Sequence, residues 1–198
     1  MTANGTGERI AGGTGHRPRG IPAANLPWVR EQAQAVAVWL RDQGGVTIGI
    51  SGMADGFDLI WADAIVTAGM RLWTAIPFLE QPERFPNPAD RDEWARLRAL
   101  TEPGRERVFG SIAGLEGAAR GARINQLLWA RNAGIIGPAD FLVCCWDPRR
   151  TTRCGTYNAI TMAHARGHPA RAAVNINPIS AHVDRGLPAL AEASQGGS

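Results

Sequence analysis

Three short stretches hold residues that could handle an anion or a proton: Thr14-Gly15-His16-Arg17-Pro18, Ser51-Gly52-Met53-Ala54-Asp55-Gly56 and Arg153-Cys154-Gly155-Thr156-Tyr157-Asn158. Arg17 offers a planar cationic fork that suits a phosphate or a carboxylate. His16 can act as an acid, a base or a phosphate ligand near neutral pH, or it can brace its loop through the backbone. Gly15, Gly52, Gly56 and Gly155 would let a bulky anion approach the main chain closely. Asp55, Asp58 and Asp147 are the carboxylates placed to move a proton, although an aspartate at a helix start is also a capping or dipole group. All 21 basic residues are arginine. Without lysine, Schiff-base chemistry on a side-chain amine and a P-loop lysine are excluded. A bound phosphate would need arginine, backbone N–H groups, hydroxyls or amides.

These stretches follow apolar runs that read as strands. Residues 9–13, 46–50, 72–77, 141–146 and 172–176 are the strand candidates, and 107–110 is a short extra one. Helical patterns cover 27–42, 57–68, 122–136 and 156–166, with a charged helix around Trp94. Alternation of this kind predicts an α/β, Rossmann-like fold: a mostly parallel open sheet of five or more strands with helices on both faces. In such a sheet the ligand binds outside the carboxyl ends of the strands, where strand order reverses. Helix N-termini there supply free N–H groups and a positive dipole end. Three glycine-bearing loops, each after a strand, are expected on that one edge. Arg17 with the N–H groups of 52–56 and of Gly155 and Thr156 would then hold a phosphate, with Arg153 as an alternative cation.

Composition narrows the class. A chain of 198 residues suits a single domain over 1–187, with 188–198 read as a flexible tail. The 44% hydrophobic share is enough for a core, and no apolar run reaches the ~20 residues of a membrane span. The N-terminus lacks the pattern of a secretory signal, so a cytoplasmic protein is expected. A net charge of +3, spread along the chain, gives no nucleic-acid footprint. No metal and no cofactor is expected. Cys144 and Cys145 lie in an apolar run and read as small buried hydrophobes. Trp146 ends that run, where it either packs in the core or stacks on a base.

Taken in order, T-G-H-R-P, S-G-M-A-D-G-F-D, a strand ending A-I-P-F before Gln81, Arg131-Asn132, and C-G-T-Y-N-A-I resemble the YpsA-like branch of the SLOG superfamily. The resemblance runs from about Arg9 to Asn177. That superfamily also holds the DprA-like proteins and the LOG phosphoribohydrolases. It implies a Rossmann-like fold that binds a nucleotide or a nucleotide-derived small molecule. By position it implies ligand contacts at Gly15, His16, Arg17, Ser51, Gly52, Met53, Asp55, Gly56, Asp58, Asn132, Gly155, Thr156 and Asn158. Cys154 replaces the usual first glycine of the last loop, and cysteine enters left-handed backbone conformations less readily. LOG enzymes carry a glutamate where this chain has Ala159, and alanine supplies no carboxylate for N-glycosidic cleavage.

Three functions remain open on the sequence. One is a sensor or sequestering module for a nucleotide derivative. The second is a hydrolase of a nucleoside or nucleotide N-glycosidic bond, with its carboxylates relocated to Asp55, Asp58 or Asp147. The third is an interaction protein with a vestigial pocket, working through a helical surface such as the Trp94 region. A homodimer or larger homo-oligomer paired through 122–136 is expected, with neither nucleic acid nor membrane as a partner.

Overall fold

The computed structural model describes residues 7–150, 154–167 and 172–188. Arg153 and the tail from residue 189 lie outside them. The described chain runs β1 (Arg9–Gly15), α1 (Leu26–Asp42), β2 (Val46–Ser51), α2 (Phe57–Thr67), β3 (Arg71–Ile76), α3 (Pro88–Ala99), β4 (Thr101–Val108), α4 (Gly117–Ile136), β5 (Phe141–Cys145), α5 (Gly155–Ala165), β6 (Ala173–Asn177) and β7 (His182–Arg185). The seven strands form one sheet in the order β4-β3-β2-β1-β5-β6-β7. All neighbours pair parallel except β6 and β7, which are antiparallel. This is a Rossmann-like α/β fold. From β1 the chain builds outward to β4, then returns to the other side of β1 for β5, so strand order reverses between β1 and β5.

Strand alternation sends side chains to two cores. Ala11, Val46, Leu72, Val143 and Ile176 meet α1, α2 and α3 on one face. Ile10, Ile48, Ile135, Leu142, Cys144 and Ile160 join α4 and α5 to the other. Helix α2 is apolar nearly all round because it is buried between the sheet and its neighbours α1 and α3. No helix among the described residues is long and apolar enough to cross a membrane.

Strand β1 has three glycines where a central strand would ordinarily carry large apolar residues. Each admits a close neighbour. A Cβ on Gly12 would stand 2.8 Å from Ile135 Cγ2, one on Gly15 would stand 2.6 Å from the Phe57 ring, and one on Gly13 would overlap the Trp61 indole. The central strand is thinned on both faces so that α2 and α4 can pack close to it.

The structure departs from the sequence expectation at the sheet edges. β1 continues two residues further, to Gly15. β4 is a full edge strand of eight residues rather than a short one, and most of it is exposed. Its charged residues and Pro103 hid it from any apolar pattern, yet they suit an edge that must not pair with another chain. Arg105 lies over the Trp73 ring at 4.5 Å and Arg107 over Phe109 at 4.5 Å. β7 has no apolar pattern to mark it in the sequence; a turn in which Asn177 Oδ1 accepts from the N–H groups of Ile179 and Ser180 leads into it. Trp94 is buried rather than displayed, so its indole offers no exposed face, whereas Trp129 of α4 is half exposed.

The glycines of β1 and α4 give opposite expectations for stability. Gly13→Ala forces overlap with Trp61 and should cost about 1–3 kcal/mol in urea unfolding. Gly121→Ala, within α4 and with open space around its added methyl, should stabilise by about 0.5–1 kcal/mol. A Gly13→Ala protein as stable as the parent would contradict this packing.

Candidate functional site

A cleft of about 350 Å³ opens at the carboxyl ends of β1 and β5, lined among others by Gly15, His16, Arg17, Asp58, Arg131, Arg150, Gly155 and Thr156. The structure brings the three loops together there and ties them to one another. The His16 carbonyl accepts from the Phe57 N–H at 3.0 Å, joining the first loop to the start of α2. The Thr156 hydroxyl donates to the Gly15 carbonyl at 2.6 Å, joining the first loop to the start of α5. Asn132 Nδ2 donates to the Gly155 carbonyl at 3.0 Å, fixing α5 against α4. Gly56 has φ +86°, and a Cβ there would lie 2.6 Å from the His16 carbonyl oxygen. Both conformation and space demand glycine at that position.

Beneath the second loop lies a buried ion pair. Arg131 Nη1 donates to Asp58 Oδ2 at 2.6 Å, with the two side chains only 6% and 4% exposed. Asp58 sits in the first turn of α2 and Arg131 in α4, so the pair joins helices packed on opposite faces of the sheet. It passes directly over Gly52, where any Cβ would overlap the guanidinium. The Ser51 hydroxyl donates to the Asp58 carbonyl at 2.7 Å and accepts from the Met53 N–H at 3.1 Å. Asp58 Oδ2 also accepts from the Ala54 N–H at 3.4 Å. Met53 takes φ 56°, a strained value for a side-chain-bearing residue, and is fully buried. Ser51, Gly52, Met53 and Gly56 thus stand behind the cleft wall, and the N–H groups of Met53 and Ala54 are spent inside the protein.

The start of α5, like that of α2, has no side-chain cap. Cys154 is the N-cap of α5, with φ −148°. The backbone is extended there, so a glycine is not needed at this position. The first-turn N–H groups of Gly155 and Thr156 carry no capping side chain and border the cleft. Asn132, Gly155 and Asn158 line an adjoining groove beside Trp129.

His16 is nearly inaccessible, with its ring stacked on Trp146 at 4.8 Å. Its Nε2 accepts from the Asp147 N–H at 3.1 Å, and Arg150 Nη1 lies 3.4 Å from Nδ1. Burial, and then the nearby Arg150 cation, push its pKa down to about 4 against a smaller pull from Asp147. The imidazole is therefore neutral at physiological pH and braces the turn. Trp146 is wholly buried in this stack, so it packs in the core and offers no face to a base. The Cys144 thiol, also wholly buried, is pushed up to about 12 by desolvation, and both Cys144 and Cys145 are free and inert.

Each candidate carboxylate has a guanidinium partner. Asp55 pairs with Arg17, Asp58 with Arg131, and Asp147 Oδ1 with Arg149 Nε at 3.1 Å. Ala159 is packed in the α5 core with Trp146 and Ile160. Arg17 keeps a side chain half exposed and remains a cation; burial of its inner side lowers its pKa to about 10, with Asp58 opposing and Arg131 and Arg84 adding to the drop. Arg19, Arg84 and Arg150 also reach the clefts of this edge. The sequence reading singled out none of them; their nearness to the motifs, as in His16-Arg17-Pro18-Arg19, was the available signal.

No protein-family model and no curated protein matches the chain. Among solved structures, DNA processing protein A (DprA) from Streptococcus pneumoniae matches at 16% identity with a TM-score of 0.49, over 81% of this chain and 48% of that one. The chain therefore spans about half the length of that protein.

The buried pair makes a testable demand. Removing one partner strands the other charge, so Asp58→Leu or Arg131→Met alone should cost about 3–5 kcal/mol in denaturant unfolding. The double variant should recover most of that loss. Additive losses in the double variant would show that the two side chains do not act as a unit.

Proposed function

We propose that this cleft binds a phosphorylated, nucleotide-derived small molecule, and that the protein is a sensor or sequestering module without N-glycosidic turnover. The observation that carries the reading is the uncapped start of α5 facing a cleft that also receives Arg17 and Arg150. Backbone N–H groups at a helix start and planar guanidinium forks are the strong phosphate donors open to a lysine-free chain. Position at the reversal of strand order supports the same reading, as does the resemblance to the YpsA-like branch of the SLOG superfamily. Arg17, Gly155 and Thr156 would hold the phosphate, with Gly15 giving the close approach. His16, Ser51, Gly52, Met53, Gly56 and Asp58 would act by shaping the loops, and Asn132 and Asn158 by lining the adjoining groove. The pairing of Asp55, Asp58 and Asp147 with arginines argues against relocated catalysis, since a general base needs a free carboxylate within reach of its proton. Self-association through α4, with Trp129 half exposed, belongs to the same proposal; nucleic acid and membrane do not.

Adenosine 5′-monophosphate serves as the probe. Removing Arg17 alone would strand the buried Asp55 carboxylate, so the informative variant is Arg17→Ala with Asp55→Asn. It should weaken calorimetric binding about ten- to a hundredfold, as loss of one charge-assisted contact implies. Arg96→Ala should leave binding unchanged, because Arg96 of α3 is engaged with Glu93 of the same helix and Asp63 of α2. Chromatography of the incubated mixture should find no free adenine. Equal affinity in the Arg17 variant, or release of the base, would overturn the proposal.

A further inference from the structure

A second cleft of about 420 Å³ lies on the β3 side of the first and shares Arg17 and Arg19 with it. Arg84 stands across it, and Phe78 and Pro86 give it apolar walls. Three guanidinium groups thus surround a space with one lining carboxylate, Asp55, which is already paired with Arg17. Neither Arg19 nor Arg84 has a carboxylate within ion-pair distance among the described residues. The repulsion is felt inside the site: Arg84 and Arg131 both act to lower the pKa of Arg17. Like charges gathered around a concave, partly apolar space raise the local potential and favour an anion there. The cleft is also built rather than a loose rim. Gln81 is only 2% exposed, donates from Nε2 to the Gly52 carbonyl at 3.4 Å, and leaves its Oε1 unpartnered. A buried acceptor without a donor costs free energy that a ligand hydroxyl can recover.

We propose that this second cleft is a second anion subsite, held by Arg19 and Arg84 and shared at Arg17, so that the ligand is a nucleoside with phosphoryl groups on two separate hydroxyls. The inference rests on the phosphate reading of the first cleft and adds the second charge. Two anions on opposite sides of one guanidinium stand farther apart than the adjacent phosphoryl groups of a diphosphate. A sugar between them spans that gap, and its remaining hydroxyl is the group able to donate to Gln81 Oε1.

The test is calorimetric titration of the full chain and of Arg84→Ala with three probes: adenosine 5′-monophosphate, adenosine 5′-diphosphate and adenosine 3′,5′-bisphosphate. Arg84 is an exposed residue, so its removal should leave the fold and melting temperature unchanged. The parent protein should bind the 3′,5′-bisphosphate about tenfold or more tighter than either other probe. Arg84→Ala should abolish that advantage and weaken the monophosphate far less than the bisphosphate. A 3′,5′-bisphosphate that binds no tighter than the monophosphate would overturn the subsite, as would an Arg84→Ala protein that weakens all three probes equally. If the bisphosphate binds in an Arg84-dependent way while the monophosphate does not bind, the second subsite stands and the phosphate contact at α5 falls. If no probe binds, both fall.

Discussion

The Arg131–Asp58 ion pair is the constraint on which the rest of the sheet edge depends. It links helices from opposite faces of the sheet across the end of β2, with both side chains almost fully buried. Two charges withdrawn from water are tolerable only when each satisfies the other and neighbouring groups complete the hydrogen bonding. That requirement propagates outward. Gly52 is glycine because the guanidinium occupies the space its side chain would need. The loop then turns through a strained Met53, and Ser51 and Asp58 take up the N–H groups that the turn exposes. The end of that turn, Gly56, has room for nothing larger because the His16 carbonyl closes over it. A motif that reads as a phosphate loop is, in its interior, a scaffold around a buried charge pair.

The consequence is a division of labour along the edge. Neither helix start has a side-chain cap, but before α2 the N–H groups of Met53, Ala54 and Phe57 donate to Ser51, Asp58 and the His16 carbonyl, whereas the start of α5 borders the cleft. His16, neutral and stacked on Trp146, fixes the turn between them. Arginines then dominate what remains: Arg17, Arg19, Arg84, Arg131 and Arg150 line the clefts of this edge against Asp55, Asp58 and Asp147. The arginines outnumber the carboxylates, and carboxylates already engaged by guanidinium groups are poorly placed to move protons.

Much of the fold was legible because its central elements obey simple patterns. Residues 141–146 are a continuous apolar run, residues 46–50 carry Val46, Ile48 and Ile50, and α1, α2 and α5 begin and end within about two residues of their expected limits. β4 and β7 were not legible, since exposed edge strands need no apolar period and owe their pairing to the neighbour they join. At the site, glycine and order of motifs gave the convergence of the three loops. They did not reveal which N–H groups the protein consumes internally, because that depends on Arg131 arriving from a position 73 residues away from Asp58. Nor did they distinguish Arg19, Arg84 and Arg150 from the other arginines, since only tertiary packing decides which of them face a cleft.

The central claim is that the start of α5, and not the loop before α2, receives the ligand's phosphate. The most direct measurement follows backbone amide resonances while adenosine 5′-monophosphate is titrated into the ¹⁵N-labelled protein. The account predicts the largest shifts at Gly155 and Thr156, accompanied by Gly15, with Met53 and Ala54 nearly unmoved. Shifts concentrated at Met53 and Ala54, or a titration that leaves Gly155 and Thr156 unchanged, would contradict it.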